Sequence, residues 1–128
     1  MKLLVEDKMK SYSDEELRDL TGRALGWIDY PTDSIERGEV WHLDAATAPQ
    51  GRILPKYEWD PLNCSIDALS LAVDLCLHVD PNEEGCMVYL HYDGKCEMFE
   101  VNGDPHESTR RAIVLAAAYL GYIKGGVA

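Results

Sequence analysis

The chain has one phenylalanine, no CxxC pair, no apolar run of about 18 residues, and only 12 Lys and Arg against 23 Asp and Glu in 128 residues. Each shortage closes off a class of function. Without the long apolar run no transmembrane helix is expected. Without a basic segment leading into an apolar one, no secretory signal peptide is expected either. A net charge of −11 lacks the basic footprint that neutralises phosphates, so direct nucleic-acid binding is not expected. GxxxxGK[ST] and GxGxxG are missing, which leaves nucleotide phosphates without an obvious cradle. HExxH and GxSxG are missing too. The reading is therefore of a chain with no cofactor, no metal and no catalytic residue, acting by binding.

The cysteines, Cys64, Cys76, Cys86 and Cys96, are spaced unlike any common zinc knuckle. In a reducing compartment they stay free thiols and behave as small apolar side chains. A bridge from Cys86 or Cys96 to a helical cysteine needs an oxidising compartment. The acidic excess is spread along the chain rather than gathered in one block. It serves either as a solvated surface that keeps the protein apart from its copies, or as a match for a partner with a basic surface.

At 46% hydrophobic residues, one α+β domain over residues 1–128 is expected. Residues 1–12 read as a mixed N-terminal arm. Ser13-Asp14-Glu15-Glu16 is a capping box, and Leu17, Leu20, Ala24 and Leu25 follow at helical spacing. Gly26 stops that helix, and Trp27 and Ile28 should fold back onto the core. Residues 29–60 are broken by Pro31, Gly38, Pro49, Gly51 and Pro55 and read as an irregular, functional or mobile loop region. A short strand is expected near 39–43, within Glu39-Val40-Trp41-His42-Leu43.

A second helix follows the Asp60-Pro61 turn, capped by Asn63 or Ser65. Its apolar stripe should be Ile66, Leu69, Val73, Cys76 and Leu77, with Asp67, Ser70, Asp74 and His78 opposite and Asp80-Pro81 as the stop. Cys86–Tyr92 and Lys95–Val101 are β-rich runs joined by Asp93-Gly94, which suits a type I′ hairpin over 86–101. In that register Tyr92 opposes Lys95, Leu90 opposes Glu97, Val88 opposes Phe99 and Cys86 opposes Val101. Apolar residues occur on both faces, so both are expected to be partly covered. Asp104-Pro105-His106-Glu107 opens a third helix. That helix is apolar around much of its circumference, through Ile113, Val114, Ala116, Ala117 and Leu120, and must be either central or covered by a second subunit. The expected architecture is a small, mostly antiparallel sheet, the hairpin plus the strand near 39–43, layered with three helices.

Four short segments carry a family resemblance: Ala24-Leu25-Gly26-Trp27, Ser65-Ile66-Asp67-Ala68-Leu69, Asp93-Gly94-Lys95 and Thr109-Arg110-Arg111-Ala112-Ile113. In this order, across residues 14–123, they resemble the small phage and prophage proteins described as having a phage ABA sandwich domain. The resemblance implies a layered α+β fold, a phage origin and work in the host cytoplasm. It implies no enzymatic activity and supplies no catalytic residues. Residues 31–58 are longer and more loop-like here than that pattern.

Trp41, Tyr57, Trp59 and the adjoining Asp60 are the candidate partner-binding residues, because aromatics in a polar loop are enriched at protein interfaces. The alternative is that these aromatics close the edge of a small core. Three further groupings are weighed. His78 and Asp74 at helical i, i+4 spacing could orient an imidazole or form a surface contact. His91 and Cys96, facing each other across the hairpin, approach a metal site or Cys–His dyad only with Cys86 or His78 added. Arg110 and Arg111 at the start of the last helix either hold an anion with the free helix N–H groups or neutralise nearby carboxylates.

The function expected first is that of a phage accessory protein binding a host or phage protein with a basic surface. One form of it is an acidic counter-defence inhibitor of a nucleic-acid-binding complex. The second is a homodimer holding a nucleotide-like ligand on Arg110 and Arg111.

Overall fold

The side chains that begin each helix decide where it begins. In the computed structural model, which describes residues 5–26, 28–30, 40–42, 53–55 and 59–124, the capping box forms as the sequence spells it. Ser13 Oγ accepts from the Glu16 N–H (3.1 Å), and Glu16 Oε1 accepts from the Ser13 N–H (2.9 Å). Helix α2 (Asp14–Ala24) follows, burying Leu17, Leu20, Thr21 and Ala24, and ends at Gly26 with φ +84°. Helix α4 (Pro105–Lys124) opens in the same way, Asp104 Oδ2 accepting from the Glu107 N–H (2.9 Å). Residues 1–12 are not simply an arm. They include α1 (Val5–Lys10), whose Met9 is fully buried in the contact of α1 with α4 and the sheet. A side chain of that size fully buried stabilises by about 2 kcal/mol.

The hairpin forms in the expected register. Strands β5 (Gly85–Tyr92) and β6 (Lys95–Asn102) pair Tyr92 with Lys95, Leu90 with Glu97, Val88 with Phe99 and Cys86 with Val101. Asp93 and Gly94 both have positive φ (45° and 74°), as a type I′ turn requires. A third strand, β4 (His78–Asn82), pairs antiparallel with β5. This corrects the second helix, α3 (Ser65–Asp74), which stops before Cys76, so that His78 is in a strand. The stop is a Schellman motif: the Leu77 N–H bonds the Ala72 carbonyl (2.9 Å) and the Cys76 N–H bonds that of Val73 (3.2 Å). Cys76 takes the left-handed φ of +54° that glycine usually fills, so the sequence carries no glycine to announce the end.

The strand expected near 39–43 is β2 (Val40–His42), but it does not join the hairpin. It is the middle strand of a second antiparallel sheet, between β1 (Ile28–Tyr30) and β3 (Ile53–Pro55). Region 29–60 thus contains paired strands as well as residues outside those described. The reason it reads as irregular is length. Three-residue strands are too short for alternation to show, and Pro55 is tolerated because β3 pairs on one side only among the described residues.

The fold is α+β, with helices layered on the β4-β5-β6 sheet. Helix α4 is the hub, in contact with α1, α2, α3 and all three strands. Ala112 through Ala118 are buried without interruption, so its apolar circumference is explained by its central place within one chain. The sheet's inner face presents Cys86, Val88, Leu90 and Phe99 to α4. The expectation that both faces are partly covered holds only in part. On the other face Met87 and Tyr89 are half-buried, while His78, His91, Cys96 and Met98 are exposed, Met98 at 56%. At one end of the layers the Tyr92 and Tyr119 hydroxyls bond each other (3.1 Å) beside Phe99 and Tyr122. That hydrogen bond holds the Tyr92 phenol well above the usual tyrosine range.

Candidate functional site

Helix α3 carries more apolar residues than a one-sided surface helix needs: Ile66, Ala68, Leu69, Leu71, Ala72 and Val73 in ten residues. They divide into two arcs. Ala68, Leu71 and Ala72 are buried, and the helix packs on α4. The stripe expected to face the core, Ile66, Leu69 and Val73, faces solvent at 76%, 64% and 64% exposure. The period is correct and the inward arc is not. The small side chains of Ala68 and Ala72 are what let α3 lie close to its neighbours. An i, i+3, i+4 set at 68, 71 and 72 was present in the sequence as a competing stripe, but the larger residues of the other set outweigh it on any hydropathy reading.

Beside this stripe lies an apolar groove of about 410 Å³. Its floor and walls include Ala68, Leu69 and Ala72 of α3, Val79 and Pro81 of β4, and Ile113 of α4. Leu69 belongs to both groove and stripe, so the two form one continuous apolar surface on α3. Its size falls in the range of ligand and peptide clefts, and its large exposed aliphatics are the kind of patch that marks an interaction site. Exposed carboxylates gather at one end of it: Asp104 and Glu107 flank the lining residues Pro105-His106, and Glu83 and Glu84 follow β4, whose Pro81 also lines it. The Gly103 N–H bonds the Glu84 carbonyl (2.8 Å), which brings the acidic Glu83-Glu84 turn beside Asp104.

The residues singled out from the sequence fall elsewhere. Trp41 is in β2, opposite Asp29 and Leu54 in backbone register; its side chain, like Trp27 and Tyr57, lies outside the described residues. Trp59 is 7% exposed, and its Nε1–H donates to Thr21 Oγ1 (3.4 Å). It is part of the core rather than a surface contact, and the edge-closing alternative is the one its position fits. Asp60 is half-buried and structural. Its N–H donates to Asp67 Oδ2 (3.1 Å), its Oδ2 accepts from Asn63 Nδ2 (2.9 Å), and its Oδ1 faces the Arg18 guanidinium at 3.5 Å. Together these tie α2 to the turn that enters α3. The residue before α3 is Cys64, so neither Asn63 nor Ser65 is its N-cap.

Arg110 and Arg111 diverge. Arg110 Nε donates to the Leu62 carbonyl (3.0 Å) and Nη1 to Ser65 Oγ (3.2 Å), fastening α4 to the start of α3. Arg111 Nη1 pairs with Asp14 of α2 (3.2 Å). Neighbours in sequence turned to different helices do not form a shared anion clamp. His78 packs its ring at a tilt against Tyr89 (ring centroids 5.1 Å, interplanar angle 48°) rather than lying one turn from Asp74 along a helix. His91 and Cys96 are opposite each other on the open sheet face, while Cys86 is on the buried one. No group of three metal-ligating side chains occurs among the described residues.

The thiols sort by burial. Cys76 and Cys96 are exposed, Cys64 is half-buried, and burial raises the Cys86 thiol above the usual cysteine value despite a hydrogen bond with Thr109. Cys76 does not sit on an apolar helix stripe as expected. Titration with an aromatic disulfide reagent should therefore show two fast thiols, with Cys86 reacting only as the protein unfolds. Fast labelling at Cys86 in the native protein would contradict its burial. No described helix is long and apolar enough to cross a membrane.

No family model, curated protein or solved structure matches the chain.

Proposed function

We propose that the protein acts by binding another protein, without catalysis, through the outward face of α3. The observation that carries this is the continuous apolar surface formed by Ile66, Leu69, Val73 and the adjoining groove. Leaving three large aliphatics in water forgoes roughly 1–2 kcal/mol each relative to burial, a loss that a partner recovers. The net charge of −11 supports a partner with a basic surface. The resemblance to phage ABA sandwich proteins supports the further reading of a phage accessory protein working in the host cytoplasm. In its sharpest form this is an acidic counter-defence inhibitor that occupies the basic groove of a nucleic-acid-binding complex. Attraction between opposite charged surfaces speeds such an encounter and weakens with salt.

The test is capture of bacterial proteins on the immobilised chain at low and high salt, beside a Leu69→Glu variant, with duplex DNA as a competitor. A basic nucleic-acid-binding complex is expected that stays on the wild type at low salt, leaves at high salt or with DNA, and is not held by the variant. If wild type and variant retain the same proteins, α3 is not the contact and the reading fails.

A further inference from the structure

We propose that the α3 surface receives a basic amphipathic helix of the partner, laid along the groove with its apolar side against Leu69 and its cations over the carboxylates at the groove's acidic end. This rests on the protein-binding reading above and adds the form and charge of the segment that docks.

Shape is the first argument. The groove runs between α3 and the elements β4 and α4, with Leu69 as one wall and the small Ala68 and Ala72 in its floor. Small residues between larger ones make the holes that accept the side-chain ridge of a crossing helix. Recognition of this kind uses apolar anchors spaced three and four residues apart, the spacing at which Ile66, Leu69 and Val73 are themselves displayed.

Charge is the second. Glu83, Glu84, Asp104 and Glu107 are exposed and cluster where the end of β4 and the start of α4 line the groove. Among the lining residues the permanent cation is Arg110, and its guanidinium is engaged by the Leu62 carbonyl and Ser65 Oγ. The other described Lys and Arg are on α1, on α2, at the hairpin turn, at the end of α4, or, for Arg111, turned to Asp14. One end of the apolar surface is thus acidic, and an arriving helix matches it with Lys or Arg. The same charge disfavours a second copy of the chain as occupant. A two-fold contact would bring together the same acidic face of two molecules that each carry −11.

The probe is a fluorescent Leu/Lys peptide of about 18 residues, patterned as an amphipathic helix, followed by anisotropy. A Leu/Glu peptide of the same pattern and a scrambled Leu/Lys peptide serve as controls. Leu69→Glu discriminates by sign. It adds a negative charge, so binding driven by charge alone would tighten, whereas loss of the apolar seat weakens it. The expected result is that the patterned Leu/Lys peptide binds and the controls do not. Leu69→Glu should weaken that binding by about tenfold or more. Ile66→Glu, at a still more exposed position, should do the same with an unchanged unfolding midpoint, which separates loss of the site from loss of the fold. The double variant Glu84→Gln/Glu107→Gln should weaken binding at low salt and converge with wild type at high salt.

Equal or tighter binding to Leu69→Glu overturns the proposal, as does equal binding of the Leu/Glu peptide or no binding of any peptide. A peptide-free dimer in sedimentation that Leu69→Glu dissolves also overturns it, in favour of a second copy. Partner capture that is sensitive to Leu69→Glu, without peptide binding, defeats this inference and leaves the protein-binding reading standing. Peptide binding without any captured partner does the reverse.

Discussion

Gly121→Ala should lower the stability of the protein by about 3 kcal/mol, read as a lower urea midpoint with an unchanged denaturant slope. Helices α2 and α4 cross where Gly121 meets the stretch from Leu20 to Ala24. A methyl group at Gly121 would fall far inside van der Waals contact with the Leu20 carbonyl oxygen, 2.8 Å from that carbonyl's carbon and 3.1 Å from the Ala24 nitrogen. All three are backbone atoms of a helix and none can rotate away, so the helices must separate. The rest of the contact is built for close approach, with Thr21, Gly22 and Ala24 buried. Beyond it, Lys124 Nζ donates to the Ala24 carbonyl (3.2 Å), so the end of α4 also caps the end of α2. The sign is what makes the experiment decisive. At a helical position with room for a side chain, Gly→Ala stabilises by roughly 1 kcal/mol through propensity. A raised midpoint would mean that the two helices do not approach as closely as described.

That crossing could not be read from the sequence. Gly121 sits in a helix pattern where glycine is merely tolerated, and only its partner's backbone explains it. What was legible were features whose signal and consequence lie within a few residues of each other. The capping box at Ser13, the Asp104-Pro105 helix start and the Asp93-Gly94 turn with its whole hairpin register are of this kind. The errors share the opposite property. α3 ends with a cysteine in a left-handed conformation, where the usual glycine is absent, and β4 was therefore hidden inside an imagined helical tail. Which arc of α3 turns inward depends on the space left by α4, and hydropathy ranks Ile66, Leu69 and Val73 above the alanines that in fact face the core. The candidate site is not legible for that reason: hydropathy assigns its residues to the interior. Trp59 was misplaced in the other direction, because a proline-rich approach and polar neighbours conceal a contact with Thr21, 38 positions away.

Trp59→Ala is the second large effect, about 3–5 kcal/mol of destabilisation, and it separates the two kinds of residue once considered for partner contact. Trp59 fills space between α2 and the turn into α3, so its removal leaves a cavity and frees the Thr21 hydroxyl of one partner. Trp59→Phe keeps most of the volume and loses the long Nε1–Oγ1 bond, which should cost about 1 kcal/mol beyond the difference in packing. If Trp59 were instead a contact residue, both variants would keep the wild-type midpoint and lose the partner. The α3 residues must behave oppositely, since Ile66 at 76% exposure has little folded-state contact to lose. Ile66→Glu is then expected within about 0.5 kcal/mol of wild type in stability while binding disappears. Measured side by side, urea midpoints and partner capture place each residue on one axis or the other. A Trp59→Ala protein with an unchanged midpoint would remove the side chain from the core and return it to the list of contact residues.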